Sequence, residues 1–323
     1  MKERIVFIDA LRGLAILLVV LGHVPGYIFE NFDVNARASE NILWCVIYSF
    51  HMPLFFFLSG YVGLKKGIDV GKTILNRTLS YLLPYIVLFA FVGEYWFLLS
   101  LWEFSMVGIL VMYISEKMNM SSRAEIALIL FFCLLSVLIP KLSFTNEFIK
   151  LLTHNMEQMP SFFLGYIVNK REKVKDLVRS RLSYTLFGVL WLVLVYAFFR
   201  AIDIPLPASG TIMYHSTWLC GVLFFYNMFS NYFNTSSYVT DKLCYFGKIS
   251  LVIYIFHFFY IPHLHDLGNY LLKFDMQSLL VLELFCMLII SFCSIFLCHL
   301  TYIVLSKSRL FSLLLLGKGY KSW

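Results

Sequence analysis

The sequence predicts an all-α, polytopic membrane protein with about ten transmembrane helices. Of its 323 residues, 60% are hydrophobic and only 14% are charged, whereas a soluble domain carries roughly 25% charged residues. The mean hydropathy is +0.79, and the 33 Phe and 20 Tyr suit a chain whose aromatic rings collect at membrane interfaces. These values exclude a water-soluble globule, a disordered chain, a collagen-like chain and a disulfide scaffold.

Apolar runs bounded by charged residues, Gly or Pro mark the individual helices, because a span needs about 20 apolar residues. The predicted spans are 7–28, 41–62, 79–93, 96–115, 124–140, 148–168, 182–200, 211–230, 249–264 and 276–305. The segment 307–323 is too short to cross again and is predicted to be an interfacial, cytoplasmic tail. Because only short loops remain, residues 1–323 are expected to form a single transmembrane domain that works inside the bundle or at its mouths.

The distribution of basic residues predicts that both termini are cytoplasmic. With the N-terminus inside, 20 of the 26 Lys and Arg fall in cytoplasmic segments, five fall on the opposite side, and Arg12 lies within the first span. Such a bias is what the positive-inside rule describes. The net charge of +7 is therefore explained by membrane topology, and no nucleic-acid partner is predicted.

Ionisable side chains inside the spans are candidates for function, since each costs at least about 2.5–3.5 kcal/mol on insertion scales. In the first helix, Asp9 and Arg12 are one turn apart and able to pair. Arg12 and His23 are separated by about 16 Å of helix, or three turns, so they share one face. This spacing favours a path from an anion held by Arg12 to a reaction centre at His23. Alternatively, Arg12 reaches the interface and His23 bonds a neighbouring carbonyl group.

Three further ionisable groups are predicted near mid-depth. His51 is followed by Pro53, which should break the helix one turn earlier. Such a kink builds a cavity beside the imidazole, or it frees a carbonyl group for His51 to cap. His257 follows Tyr254 by three residues on the same helix face. Glu103 is either a partner for a buried histidine or a sign that its span begins later than predicted.

The loop between the second and third spans is basic and includes Lys72 and Arg77. Two interpretations are open. These cations reflect topology and contact lipid headgroups, or they form a phosphate-binding rim at the mouth of a cavity.

Several segments carry a resemblance to a known family. The most specific is Ile8-Asp9-Ala10-Leu11-Arg12-Gly13, with His23 following Arg12 after ten intervening residues, and then His51-Met52-Pro53-Leu54-Phe55-Phe56-Phe57. Weaker matches are Arg77 with Leu82-Leu83-Pro84-Tyr85, Tyr95-Trp96-Phe97-Leu98-Leu99, Pro160-Ser161-Phe162-Phe163-Leu164-Gly165-Tyr166, and Gly247-Lys248-Ile249-Ser250-Leu251 through Tyr254 and His257. Together they resemble the acyltransferase-3 family, integral membrane enzymes that O-acylate carbohydrates and other cell-surface molecules. The resemblance covers nearly the whole chain and implies a multi-pass protein of the bacterial inner membrane.

The resemblance implies an acyl-transfer reaction with assigned residues. Acetyl-coenzyme A would be the donor, held by Arg12, Lys72, Arg77, Trp96 and Tyr254, although Ser80 stands where many members have a second Arg. His23 would be the general base for an acceptor hydroxyl, with Asp9 orienting Arg12, and His51 and His257 in acceptor binding or proton relay. Both direct transfer and an acyl-imidazole intermediate stay open.

The resemblance also implies the partners. The acceptor would be a cell-surface carbohydrate of the O-antigen, capsule or exopolysaccharide type, or its lipid-linked precursor. Membrane lipids are the other expected partner, and association into a homo-oligomer stays open. No metal is expected, since the seven cysteines are an odd number and show no CxxC spacing.

Two other classes of function compete with the enzyme. A transporter or flippase would use the intramembrane His and Glu residues as a proton relay, and a non-catalytic scaffold would leave them without a task. Hydrolysis or transfer of acetyl-coenzyme A by the purified protein separates an enzyme from both.

Overall fold

The structure is a computed structural model that describes residues 5–29, 41–64, 67, 69–92, 95–142, 145–153, 155–201 and 209–316. Regular structure in these residues is entirely helical, and they contain no strand, as the sequence predicts. Some sequence predictions concern residues outside these ranges. They are the division between the third and fourth predicted spans at Gly93 and Glu94, the end of the tail at 317–323, and seven of the basic residues counted in the charge bias, namely Lys2, Arg4, Arg37, Lys65, Lys66, Lys318 and Lys321.

The α-helices are numbered here in chain order. They are α1 (Val6–Ile28), α2 (Ile42–Tyr48), α3 (His51–Gly63), α4 (Val70–Arg77), α5 (Leu83–Val92), α6 (Trp96–Lys117), α7 (Ser122–Leu138), α8 (Glu147–Thr153), α9 (Met159–Lys170), α10 (Glu172–Arg179), α11 (Arg181–Ala201), α12 (Ser209–Tyr232), α13 (Tyr238–Lys248), α14 (Ser250–Tyr260), α15 (His265–Leu271), α16 (Met276–Ser306) and α17 (Arg309–Leu316). A π-helix, Thr78–Leu82, joins α4 to α5, and 3₁₀ turns lie at Ile139–Lys141 and Met156–Gln158.

Five helical segments of the described chain are long and apolar enough to cross a membrane. They are Val6–Ile28, Ile42–Gly63 (α2 with α3), Trp96–Lys117, Ser122–Lys141 (α7 with the 3₁₀ turn after it) and Gln277–Ser306. Two bent pairs, α10 with α11 and α13 with α14, raise the number to seven if each pair is one span. The predicted spans 79–93, 148–168 and 211–230 also coincide with helices, which fall short of that length or apolarity. Ten spans and cytoplasmic termini therefore remain predictions.

Several predicted spans are interrupted. The second breaks into α2 and α3 at Ser49 and Phe50, one turn before Pro53, whose ring cannot supply the N–H that a continuous helix would need there. The sixth divides into α8, a 3₁₀ turn and α9. The seventh span, α11, follows the shorter helix α10 at a bend of 66°, and the ninth span, α14, follows the equally long helix α13 at a bend of 76°.

The chain divides into two compact units. The first unit is Met1–Leu54 with Asp176–Ile303, and the second unit is Phe55–Lys175 with Val304–Trp323.

Glycines bring α1 and α13 into backbone contact in the first unit. A Cβ atom at Gly13 would lie 1.9 Å from the carbonyl oxygen of Leu243, and one at Gly247 would lie 2.0 Å from the carbonyl oxygen of Asp9. Real Cβ atoms never come so close, so only glycine fits at both positions. The contact fixes the face of α1 that carries Asp9 and Arg12 relative to α13.

In the second unit, α3 and α9 meet in the same way. A Cβ atom at Gly60 would lie 1.8 Å from the Phe162 carbonyl oxygen, and one at Gly165 would lie 1.9 Å from that of Phe57. At one end of this unit the carboxylate of Glu125, whose side chain is 3% exposed, receives Lys170 and Arg171. The helix α17 packs on α5, and its interfacial position stays a prediction.

Candidate active site

Helix α1 runs without a break from Val6 to Ile28, so the predicted alignment of Arg12 and His23 on one face is retained. Arg12 Nη1 lies 3.6 Å from Asp9 Oδ1, and both side chains are partly exposed. This is the pair that their spacing predicts. At 3.6 Å it is an ion pair rather than a hydrogen bond, so the guanidinium N–H groups remain able to bind an anion.

Three aromatic rings surround the His23 imidazole in the first unit. The ring centroid of His257 lies 5.2 Å away, that of Phe258 lies 5.0 Å away, and that of Tyr48 lies 6.4 Å away. His23 is half-buried and makes no hydrogen bond to another described residue. Its two nitrogens are therefore available to a substrate, a water molecule or its histidine neighbour.

His257 is fully buried and has a defined tautomer. Its Nδ1 lies 2.9 Å from the carbonyl oxygens of both Ile253 and Tyr254. Carbonyl oxygens only accept, so Nδ1 carries the proton and Nε2 holds the lone pair in the neutral ring. Within the described chain, Nε2 has no hydrogen-bond partner. A buried acceptor without a donor is costly, so this nitrogen is suited to receive a proton from a group that enters the site.

His51 is also buried, and its Nδ1 donates a 2.7 Å hydrogen bond to the carbonyl oxygen of Ile47. The ring therefore caps the end of α2, two residues before the carbonyl group that Pro53 frees. The same ring lies 4.8 Å from that of Tyr48, which in turn faces His23. Tyr48 therefore faces both imidazoles, and His51 also lies close enough to His23 for the two rings to interact electrostatically.

Tyr48 and Phe258 belong to this cluster and were not predicted from the sequence. The Tyr48 hydroxyl donates to the carbonyl oxygen of Gly22, 3.4 Å away, and its ring stacks on Trp44 at 3.9 Å. Its position one turn before His51 is a sequence signal, but in a chain with 20 Tyr such a neighbour carries little information. Tyr254, a predicted donor contact, lies one turn before His257 with its ring 6.4 Å from that imidazole.

The other predicted donor-binding residues lie in the second unit. Arg77 donates from Nη1 to the Tyr81 hydroxyl and from Nη2 to the Gly63 carbonyl oxygen, each over 2.8 Å. These bonds hold the guanidinium at the end of α3 and leave three of its five N–H groups for other acceptors. Lys72 is exposed in the first turn of α4. Trp96 begins α6 and packs on Phe56, with ring centroids 6.3 Å apart.

Glu103 lies two turns inside α6, which begins at Trp96. The helix therefore begins where the fourth span is predicted to begin. Glu103 Oε1 is buried without a hydrogen-bond partner in the described part of the chain, so the structure does not pair it with a histidine. The neighbouring Trp102 donates from Nε1 to Thr78 Oγ1 over 3.1 Å and ties α6 to the π-helix.

Comparison with known proteins addresses what this arrangement does. The model of one family, described as an acyltransferase domain, matches residues 5–93 and 86–306. The matched residues include the His23 cluster in the first unit as well as Lys72, Arg77 and Trp96 in the second. Comparisons with curated proteins and with solved structures gave no match.

Proposed function

This chain belongs to the acyltransferase-3 family, and from that premise we propose that it is an O-acetyltransferase of the bacterial inner membrane. It transfers the acetyl group of acetyl-coenzyme A to a hydroxyl of a cell-surface carbohydrate or its lipid-linked precursor. Family membership supports acyl transfer and gives no support to proton-coupled transport. The donor, the acceptor and the membrane are the proposed part.

The observation that carries the proposal is the proximity of the His23 and His257 rings, whose centroids are 5.2 Å apart. A general base for a hydroxyl must accept a proton near neutral pH, and a neutral imidazole does so. His23 makes no competing hydrogen bond to another described residue, and the lone pair of His257 Nε2 is buried in the neighbouring ring. In the proposed reaction His257 Nε2 accepts from the N–H of His23, directly or through one water molecule. This contact orients the His23 ring and stabilises the imidazolium that forms.

The proposed reaction is a direct transfer. The acceptor oxygen forms a bond to the acetyl carbonyl carbon while His23 takes the hydroxyl proton. The carbon–sulfur bond then breaks, and the departing thiolate of coenzyme A takes the proton from the His23 imidazolium. Tyr48 and Phe258 form apolar walls beside the imidazole that keep bulk water from competing with the acceptor.

Donor binding is proposed for the cations. Arg12 lies three turns from His23 on the same face of α1, and a guanidinium binds phosphate through two parallel hydrogen bonds. Arg77 is held in place by Gly63 and Tyr81 and retains free donors, whereas Lys72 is exposed and acts as a mobile charge. Tyr254 and Trp96 are proposed to contact the apolar part of the donor.

The experiment uses the full-length protein in lipid nanodiscs with acetyl-coenzyme A that carries a ¹³C-labelled acetyl group. Membrane extracts that contain lipid-linked glycans supply the acceptor, and mass spectrometry detects labelled, base-labile acetyl esters. We expect labelled ester with the wild type and a loss of about 10²- to 10⁴-fold with His23→Ala, the usual contribution of a general base. His263→Gln is the matched control, because His263 is an exposed histidine of the same unit.

The proposal would be contradicted if the wild-type protein, folded in nanodiscs and supplied with the acceptor extract, produced neither free coenzyme A nor labelled ester. An active His23→Ala variant would remove His23 from the reaction. Surface glycans from cells with and without the gene then show which hydroxyl is acetylated.

A further inference from the structure

The first unit contains an open cavity of about 690 Å³ that the acyl-transfer proposal does not use. Three helices form its walls: α1, α13 and α16. The lining residues are Leu17, Leu18 and Leu21 of α1, Lys242, Tyr245 and Phe246 of α13, and Leu288, Ser291, Phe292, Ile295, Phe296 and His299 of α16.

This cavity lies on the other side of α1 from the candidate active site. At 100° per residue, Leu17 and Leu21 point away from the face that carries Arg12 and His23. A donor that reaches His23 therefore does not occupy this cavity. Its occupant must be a different molecule, and because most of the wall is Leu, Ile and Phe, that molecule must be largely hydrocarbon.

Apart from Ser291, the polar groups of the cavity lie at the His299 end of its α16 wall. The Tyr245 hydroxyl and His299 Nδ1 are 2.5 Å apart, and Lys242 lies one turn before Tyr245 on α13. Lys242 is exposed and lies over the ring of Tyr238 at 5.5 Å, and no described carboxylate is within ion-pair distance of it. This end therefore combines a free positive charge with two hydrogen-bonding groups, which together suit a phosphate.

The length of the apolar wall matches one lipid leaflet. From Leu288 to His299 the α16 helix rises by about 16 Å, and half of a bilayer's hydrocarbon core is about 15 Å. A lipid whose phosphate lies at the polar end would therefore extend its acyl chain along the whole wall. Phe292 and Phe296 are 73% and 54% exposed on the open side, where membrane lipid can enter.

We propose that this cavity binds an anionic phospholipid, with its phosphate at Lys242, Tyr245 and His299 and one acyl chain along α1 and α16. Ser291 lies about one turn from the Leu288 end of the wall and is 6% exposed, and its small side chain leaves room for the acyl chain. The inference is independent of the acetyl transfer proposed above.

Native mass spectrometry of the full-length protein tests the site with phosphatidylglycerol and phosphatidylcholine of identical acyl chains. We expect phosphatidylglycerol to stay bound under conditions that strip phosphatidylcholine. Lys242→Gln should weaken phosphatidylglycerol binding about fivefold, since a lysine near an anionic membrane surface contributes about 1 kcal/mol. Ser291→Phe should fill the wall and abolish retention of the lipid.

Matched controls separate this site from the general lipid shell. Lys248→Gln removes an exposed cation of the same helix, and Cys293→Phe adds a ring to an exposed position of α16 outside the cavity. Both should bind phosphatidylglycerol as the wild type does. Equal retention of the two lipids, or equal weakening by Lys242→Gln and Lys248→Gln, would overturn the proposal. So would displacement of phosphatidylglycerol by an equimolar long-chain acyl-coenzyme A, because the cavity would then belong to a donor.

Discussion

The imidazole rings of His23 and His257 lie 5.2 Å apart, although they belong to the first helix and to α14 near the other end of the chain. The hydrogen bonds from His257 Nδ1 to its own helix leave its lone pair at Nε2. His23 is thus accompanied by a proton acceptor of fixed tautomer. In the proposed reaction His257 is a positioning residue, since it acts through His23.

Substitution of His257 tests this role. His257→Phe keeps an aromatic ring in the buried position but removes the lone pair, so kcat should fall about tenfold, which corresponds to about 1.4 kcal/mol. The KM for acetyl-coenzyme A should stay near the wild-type value, because in the proposed reaction His257 acts through His23 and is given no part in donor binding. Initial rates over a range of donor concentrations give both constants. Full activity of His257→Phe would show that only the volume of the ring matters.

Substitution of Arg12 tests donor binding. Arg12→Ala should raise the KM for acetyl-coenzyme A by about 10- to 100-fold with little change in kcat, as expected when a charged hydrogen bond worth about 1.5–3 kcal/mol is lost. Asp9→Asn is the companion variant, because it keeps Arg12 and removes only its carboxylate neighbour. Its KM should not rise. A raised KM in Asp9→Asn alone would assign the anion contact to a different cation.

Local features of this site could be predicted from the sequence, because helical periodicity determines them. The shared face of Arg12 and His23, the Asp9–Arg12 pair and the break before Pro53 all follow from spacing along one segment. His51 and His257 could be singled out because an ionisable group in an apolar run is costly. Their partners could not be predicted, since no periodicity relates α14 to α1 or identifies Tyr48 among the aromatic residues.

Charge patterns carry less information about local structure than apolar patterns do. The basic segment between the predicted spans 148–168 and 182–200 includes Glu172–Arg179, which forms an amphipathic helix that bends by 66° into α11. Its Lys and Glu residues favour helix as well as solvent, so composition alone does not separate a loop from a surface helix. Similarly, the partnership of Glu125 with Lys170 and Arg171 depends on how α7 and α9 pack.

The glycine contacts between α1 and α13 predict a large loss of stability on adding a methyl group. In Gly13→Ala the new Cβ atom would meet the backbone carbonyl of Leu243 at 1.9 Å, and backbone cannot rotate away as a side chain does. Overpacking typically costs about 1–3 kcal/mol, and a backbone clash belongs at or above the upper end. Gly13→Ala should lower the midpoint of thermal unfolding in detergent and the yield of folded protein.

Gly71→Ala is the matched control for this substitution. Gly71 lies in α4, where the nearest atom to a new Cβ is 3.7 Å away, an ordinary contact distance. Because Ala favours helix over Gly by about 0.8–1.0 kcal/mol, this variant should be as stable as the wild type or more stable. Equal midpoints for Gly13→Ala and Gly71→Ala would mean that α1 and α13 do not touch in the folded protein.

Replacement of the Glu125 carboxylate by an amide is expected to destabilise the protein. Its buried oxygens receive the ammonium of Lys170, the guanidinium of Arg171 and the hydroxyl of Tyr166 at 2.5 Å. Glu125→Gln keeps the shape but removes the charge, so two cations lose their counterion. Breaking a buried ion pair costs about 3–5 kcal/mol, and the lower end applies because about a fifth of each cation's side chain is exposed.

Thermal unfolding in a single detergent measures this cost, and Glu172→Gln provides the comparison. Glu172 pairs with Lys175 over 2.7 Å on the surface, where the carboxylate side chain is 75% exposed and the pair is screened by water. The same chemical change at the two positions should therefore lower the unfolding midpoint clearly for Glu125 and hardly at all for Glu172. Similar midpoints would show that water enters around Glu125 and that its cations gain nothing from the carboxylate.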